Sequence, residues 1–303
     1  FEQAFEKLQA FVTLFSNFKG KLHEPEQFKN YYLLIKKFEI EASKIYQYVS
    51  LKSDANKKNL ENAADVAKCR MIIYACSEAT SFESPEIIKL GKAKVEEYLG
   101  MYPELNEFKF YFEKIFRNAA HILDENSERL LSIYAPLTSA GSELYSSIAV
   151  GDGKFEEIQL STKEKVKVTP GNYRSLITDC TNAKDRQKIF EAVFNTYEKH
   201  KTTYATIYNT VLQADQANAR ARGYKNSLEA HLYGDNIPLA VYYNLVDVAS
   251  KYNKGLKKYI KLRKKYLNLK VYHTYDRFME LASSNKKYTY EEAKELFFNS
   301  LQD

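Results

Sequence analysis

The stretch ARARGYKNSLEAHLYGDNIP, residues 219–238, decides how the chain is built. It holds Arg220, Arg222, His231 and Asp235 in a short span, as a charged functional loop would. It also carries the marks of a joint between helices. Gly223 follows the last periodic residues of a helical run and suits the left-handed closing position, while Arg220 and Arg222 lie where cations favour a helix C-terminus. Ser227 can start a short helix with Glu229 in its first turn, and Gly234 can end it. Asn236 and Pro238 then punctuate the start of the next helix. Each unusual residue thus has a structural role, and the local rules give a helix–turn–helix–turn–helix joint with exposed charges. His231 by itself reads as a packed or surface histidine.

Working outward, the same helical periodicity dominates. Upstream, Ile189, Val193, Tyr197, Tyr204, Tyr208 and Val211 mark one apolar stripe, so a single helix is expected from Asn182 to Ala221. At ~1.5 Å per residue it would be ~60 Å long. Downstream, a helix is expected from near Pro238 to about Asn268, and a last one opens at Thr289, where Thr289 and Glu292 form a capping box. Nearer the start, Phe1, Phe5, Leu8, Phe11, Val12 and Phe15 trace a first helix closed by Gly20. Phe28, Tyr31, Tyr32, Ile35, Phe38, Ile45 and Val49 trace a second. A third is expected from Asp54 to Ser81 with Leu60, Ala64, Ala67, Met71 and Tyr74 inward. Ser84-Pro85-Glu86 reads as the start of a fourth, ending near Gly100, and Pro103 opens a fifth.

The interruption lies between Gly141 and Gly171, where short β-like runs flank Gly151-Asp152-Gly153 and predict a hairpin turning there. Gly153-Lys154 lacks the second glycine and the hydroxyl residue of a phosphate loop. The expected fold is mainly α: long antiparallel helices with one small β-hairpin element. Its expected domains are a helical lobe over 1–135, a hairpin insert over 136–171 and a long-helix region over 172–303. The chain starts on Phe1 inside one helical pattern and stops at Asp303 inside another, so it is expected to be part of a longer protein.

Composition narrows the function. Ten glycines and six prolines in 303 residues mean few turns, and 45% hydrophobic residues suit a globular core. Cys69 and Cys76 are seven apart, on one helical face, and pair with nothing in a metal pattern; with Cys180 they suggest a reducing, cytoplasmic setting. No apolar run reaches the ~20 residues a bilayer requires, so no membrane partner is expected. The net charge of +6 is a weak pointer to anionic partners. Between Val248 and Tyr275 there is no acidic residue, yet Lys251, Lys254, Lys257, Lys258, Lys261, Arg263, Lys264, Lys265 and Lys270 occur, with Tyr252, Tyr259 and Tyr266 seven apart. This segment, 248–275, could bind nucleic acid or another anionic surface on a non-enzymatic helical scaffold. The reading taken is a solvated basic face with the tyrosines packed inward, and nucleic acid is not the expected partner. Nucleophilic catalysis finds no support: Asp179 beside Cys180 opposes thiolate formation, and no Gly-x-Ser-x-Gly occurs.

The opening stretch, continued by Val241-Tyr242-Tyr243-Asn244-Leu245, resembles a region of the oligoendopeptidase F family, zinc endopeptidases related to thimet oligopeptidase. LRKKYLNLKVYHTYDRF (262–278), KKYTYEEAKEL (286–296), SELYSSI (142–148), Gly171-Asn172-Tyr173 and the Lys184-Asp185-Arg186 helix start are similar to the same family in the same order. The resemblance runs from about Leu130 to the end. It implies one half of a two-lobed peptidase that hydrolyses internal bonds of short peptides in a cleft closed by the other half. The family's zinc is held by His-Glu-x-x-His and a later Glu, the first Glu activating the zinc-bound water. Five histidines are present, His23, His121, His200, His231 and His273, and no two are four apart. His23-Glu24 runs into Pro25 and lacks the second ligand. The motif is therefore expected beyond Asp303. No catalytic, cofactor-binding or metal residue falls on this chain, which is expected to be inactive alone and to need the C-terminal catalytic half as partner.

Overall fold

A computed structural model describes residues 2–282, 286 and 288–301. Phe1, Lys287 and Asp303, which the sequence reading used, lie outside the described residues. The chain divides into two compact units, residues 1–153 with 201–246, and residues 154–200 with 247–303. The expected mainly α fold with one small hairpin is the fold observed.

The first unit opens with α1 (Glu2–Ser16), α2 (Pro25–Ala55) and α3 (Leu60–Ala79). Phe5, Leu8, Phe11 and Phe15 recur at helical spacing, so α1 buries one continuous stripe against Phe28, Tyr31, Tyr32 and Val49 of α2. Phe15 meets Phe38 edge to face with ring centres 5.4 Å apart. Asn59 caps α3 through the backbone amides of Glu61 and Asn62. The inward face of α3 differs from the expected one: Asn62, Cys69, Ile72 and Cys76 are buried, whereas Leu60, Ala64, Ala67 and Met71 are exposed. Apolar residues surround this helix on most sides, so periodicity alone does not select a face. Its start also differs, because α2 continues through Asp54.

Next come α4 (Glu83–Leu90), α5 (Lys92–Met101) and α6 (Lys109–Arg117), with a short 3-10 turn over Pro103–Phe108. Ser84 is not the cap of α4, which begins one residue earlier. The helix expected to reach Gly100 breaks at Gly91, whose φ of 86° is open to glycine and costly for other residues. Glu83 is buried among aromatics and accepts hydrogen bonds from the hydroxyls of Tyr32 and Tyr111, both at 2.9 Å. Burial raises the pKa of its carboxyl above the usual range, and the two phenols oppose that shift.

The unit is completed by α7 (Glu125–Ser146). After the second unit's first portion, the chain returns through α10 (Lys201–Ala221), α11 (Ser227–Tyr233) and the start of α12 (Leu239–Lys251). α7 and α10 approach closely at Gly141, where an added Cβ would lie 2.6 Å from Cγ2 of Val211. A hydrogen at that position is what lets the helices touch.

The second unit holds β1 (Glu157–Gln159) and β2 (Lys165–Lys167), antiparallel with Ile158 opposite Val166. The hairpin turns at residues 160–164, with Lys163 at φ 68°, and not at Gly151-Asp152-Gly153 as expected. Residues 147–151 instead prolong α7 by a π turn, so the glycines end a helix. α8 (Tyr173–Thr178), α9 (Ala183–Glu198), α13 (Lys254–Tyr266) and α14 (Tyr290–Asn299) complete the elements described. Val168, Tyr173, Ile177, Ile189, Val193 and Tyr275 form the small core. Beside it, Arg186 donates from Nε to Asp276 at 3.0 Å and from one terminal nitrogen to the carbonyls of Cys180 and Thr181.

Two expected long helices are each two. Residues 182–221 give α9 and α10, broken at Lys199-His200, because their stripes serve different cores: Ile189 and Val193 in one unit, Ile207 and Ala219 in the other. Residues 238–268 give α12 and α13, broken at Tyr252-Asn253. The capping box at Thr289 and Glu292 forms as expected.

Candidate functional site

The joint at residues 219–238 is built largely as its local signals dictate. α10 closes on Gly223 at φ 74°, and the amide of Tyr224 donates back to the carbonyl of Ala219 at 2.9 Å. Asn226, one residue before the expected Ser227, caps α11 by accepting from the amide of Glu229 at 2.9 Å. Glu229 reciprocates by accepting from the amide of Lys225. Asn236 takes the left-handed conformation at φ 56° just before α12.

The charges are not all exposed, as had been expected. Arg220 is exposed, but Arg222 turns inward and grips Glu128 of α7 through two bonds of 2.7 and 2.9 Å. It also donates to the carbonyl of His121 at 3.2 Å. The bond to Glu128 raises the pKa of Arg222 further, against the opposing effect of burial. His121 returns the contact: its Nδ1 lies 2.8 Å from the carbonyl of Arg222. The His121 ring stacks on Tyr224 at 3.7 Å and meets Tyr233 edge-on at 4.7 Å. His231 lies 3.5 Å from Asp215 on α10, and Asp235 lies 3.8 Å from Lys114 on α6. A cavity of about 270 Å³ opens among these groups. Sequence reasoning missed Glu128 and His121 as parts of this joint; they lie about a hundred positions upstream, and no local signal connects them to it.

The histidines are dispersed. His23 sits just before α2, where Pro25 takes the first-turn position. His200 lies between α9 and α10, and His273 pairs with Asp276 at 3.4 Å in the second unit. Among the described residues, no three of His, Cys, Asp or Glu are placed to hold a metal ion. The donor set present does not fit a zinc site.

The basic segment departs from its expected packing. Tyr252, Tyr259 and Tyr266 are 77%, 48% and 67% exposed and do not pack inward. Buried in their place is Arg263, which donates to the carbonyls of Asp276, Arg277 and Met279 and to the hydroxyls of Tyr259 and Tyr272. A guanidinium with five donors can tie three carbonyls at once, which a phenol cannot. No described helix is long and apolar enough to cross a membrane.

With this geometry in place, comparison with known proteins assigns the class. Residues 86–155 match the family described as Oligopeptidase F, and residues 176–303 match Peptidase family M3. The class is thus that of chains matching Peptidase family M3. Group B oligopeptidase PepB of Streptococcus agalactiae is 30% identical over 250 residues, covering 82% of this chain and 41% of that protein. Oligopeptidase PepF of Bacillus subtilis is 29% identical over 299 residues, covering 98% of this chain and 44% of that protein. The crystal structure of oligoendopeptidase-F from Enterococcus faecium superposes with a TM-score of 0.86 at 28% identity, over 93% of this chain and 56% of that one. The chain belongs to the oligoendopeptidase F family, and it spans less than half the length of the curated relatives it matches.

Proposed function

We propose that this chain is the amino-terminal portion of a zinc-dependent oligoendopeptidase that hydrolyses internal bonds of short peptides in the cytoplasm, and that it is inactive alone. The observation that carries the reading is the ordered pair of family matches on a chain covering 41–44% of PepB and PepF. The metal ligands and the general base would come from the remainder of the longer protein. This portion would supply walls to the substrate cleft, rigid because their charged members are tied, as Arg222 is to Glu128 and Arg186 to Asp276.

The exposed apolar side chains support a large partner surface. In the second unit, Leu256 and Leu262 of α13 and Leu296 and Phe297 of α14 are each more than half exposed. Stable isolated proteins keep large apolar patches covered. The catalytic half of the same protein is the proposed cover.

Isolation of the natural protein, its intact mass, and assay on an internally quenched peptide test the reading. A longer chain with His-Glu-x-x-His that cleaves the peptide, while residues 1–303 alone do not, is the expected result. Chelator-sensitive cleavage by residues 1–303 alone would overturn it, as would a natural chain ending at Asp303. The exposed tyrosines and lysines of α13 support a second reading, a scaffold that binds an anionic surface. It requires DNA binding that weakens steeply with salt.

A further inference from the structure

Residues 239–246, the part of α12 that belongs to the first unit, carry an apolar surface too wide for one-sided packing. Leu239, Val241, Tyr242, Tyr243, Leu245 and Val246 are aliphatic or aromatic, and no residue of the segment is charged. At about 100° of rotation per residue, these side chains span about 200° of the helix surface, from Val241 round to Tyr243. Asn244 falls in the remaining arc, about 100° from both Tyr243 and Leu245. A helix that lays one side on a core needs an apolar stripe of only about 100°. Twice that width suits a helix with apolar neighbours on two nearly opposite sides.

Those neighbours are absent from the surroundings of this segment. Val241, Tyr242, Tyr243, Leu245 and Val246 are 40–65% exposed, and only Leu239, at the helix start, is half-buried. In the same unit, α1 shows what a matched helix looks like: its stripe of Phe5, Leu8, Phe11 and Phe15 is buried throughout.

Chemistry separates the possible covers. A bilayer is a poor one, since the segment rises only about 12 Å against a hydrocarbon core of about 30 Å. It also lacks the charged polar face of a helix that lies in the headgroup region. A second copy in a two-fold contact sets the same face against itself, and so covers one side of the helix. The rest of the protein's own chain can supply two walls. This chain covers 41% of PepB and 44% of PepF, so more than half of each relative has no counterpart among these residues.

We infer that residues 239–246 form a peg seated in an apolar groove made by the chain beyond Asp303. One wall of the groove meets the side of Val241 and Leu245, the other meets Tyr243, and Asn244 faces the open edge. The groove is about 10–12 Å across, the diameter of a helix with its side chains. The inference rests on the proposed reading only in requiring a longer chain, and it is independent of zinc and of peptide hydrolysis.

Photo-crosslinking in the natural full-length protein tests it. The amino acid p-benzoylphenylalanine is placed in turn at Tyr243, Leu245 and Asn244, and mass spectrometry locates the crosslinked peptides. Tyr243 and Leu245, on nearly opposite sides, should each crosslink to segments beyond residue 303, and Asn244 should give little product. Each variant is checked for native circular dichroism. Nitration of wild type needs no substitution and decides if a variant does not fold: Tyr243 should react about tenfold or more slowly in the native protein than in urea. The proposal falls if Tyr243 or Leu245 crosslinks in a folded variant only within residues 1–303, only to a second copy, or not at all. It falls equally if native Tyr243 nitrates as fast as in urea. A natural chain ending at Asp303 would remove the longer-protein reading as well, whereas a longer chain with a freely reactive Tyr243 would remove this inference alone.

Discussion

Removing either member of the Arg186–Asp276 pair should destabilise the second unit strongly, and removing both should cost less than the sum of the two single losses. The two side chains are each 1% exposed and meet at 3.0 Å. At an effective dielectric of about 20, that separation gives about 5 kcal/mol of gross attraction. Desolvation of two ions consumes several kcal/mol each, so the intact pair is worth little net. Breaking it is different. In Arg186→Met, Asp276 keeps only the amide of His273, at 2.7 Å, and the nearby His273 ring as partners for a buried negative charge. In Asp276→Asn, the guanidinium keeps the carbonyls of Cys180 and Thr181 but no countercharge. Each single variant should lose about 3–5 kcal/mol, two to four decades in the folded-to-unfolded ratio. The double variant should lose less than the sum, with about 1–3 kcal/mol of coupling. Urea unfolding followed by circular dichroism reads the totals, and limited proteolysis should show cleavage within 154–200 and 247–282 first. Single losses under about 1 kcal/mol, or a strictly additive double variant, would refute the argument.

Three further outcomes follow from named residues. Burial raises the carboxyl pKa of Glu83 in the folded state, so the folded protein holds its proton more tightly than the unfolded chain. That contribution is fully present below the unfolded value of about 4.5 and is lost as pH rises through the folded one. Melting curves should therefore show Glu83→Gln gaining stability relative to wild type from pH 4 to pH 8, and a constant difference would contradict this. Gly141→Leu should cost about 1–3 kcal/mol or more by forcing Val211 aside, although the same change on an open helix face would help. An unchanged melting temperature would show that α7 and α10 separate freely. Burial pushes the Cys76 thiol up to about 12, so a disulfide reagent at pH 8 should label it only after urea is added. Labelling at the rate of a free thiol in the native protein would count against its burial.

The joint shows what local rules can and cannot read. Gly223, Asn236 and Glu229 took the roles their chemistry requires, because a positive φ or a first-turn carboxylate depends only on neighbours in the chain. Arg222 took another. Sequence placed it as an exposed cation at a helix end, and Glu128 drew it inward from a distant element. The tyrosines fail similarly: a spacing of seven puts Tyr259 and Tyr266 on one face of α13, but nothing in it says which face is covered.

Sequence alone determined the helical class, the buried stripe of α1, the placing of Cys69 and Cys76 on one face, the capping box at Thr289 and Glu292, and the family. Each rests on short-range periodicity, backbone conformation or an ordered set of motifs. Tertiary structure alone decided that residues 182–221 break at Lys199-His200, and that α3 turns Ile72 inward and Met71 outward. It also buried Glu83, Arg186 and Arg263. The reason is physical. A break costs only a few helical hydrogen bonds, and a charge can be buried once partners arrive, but those partners come from elements tens of residues away.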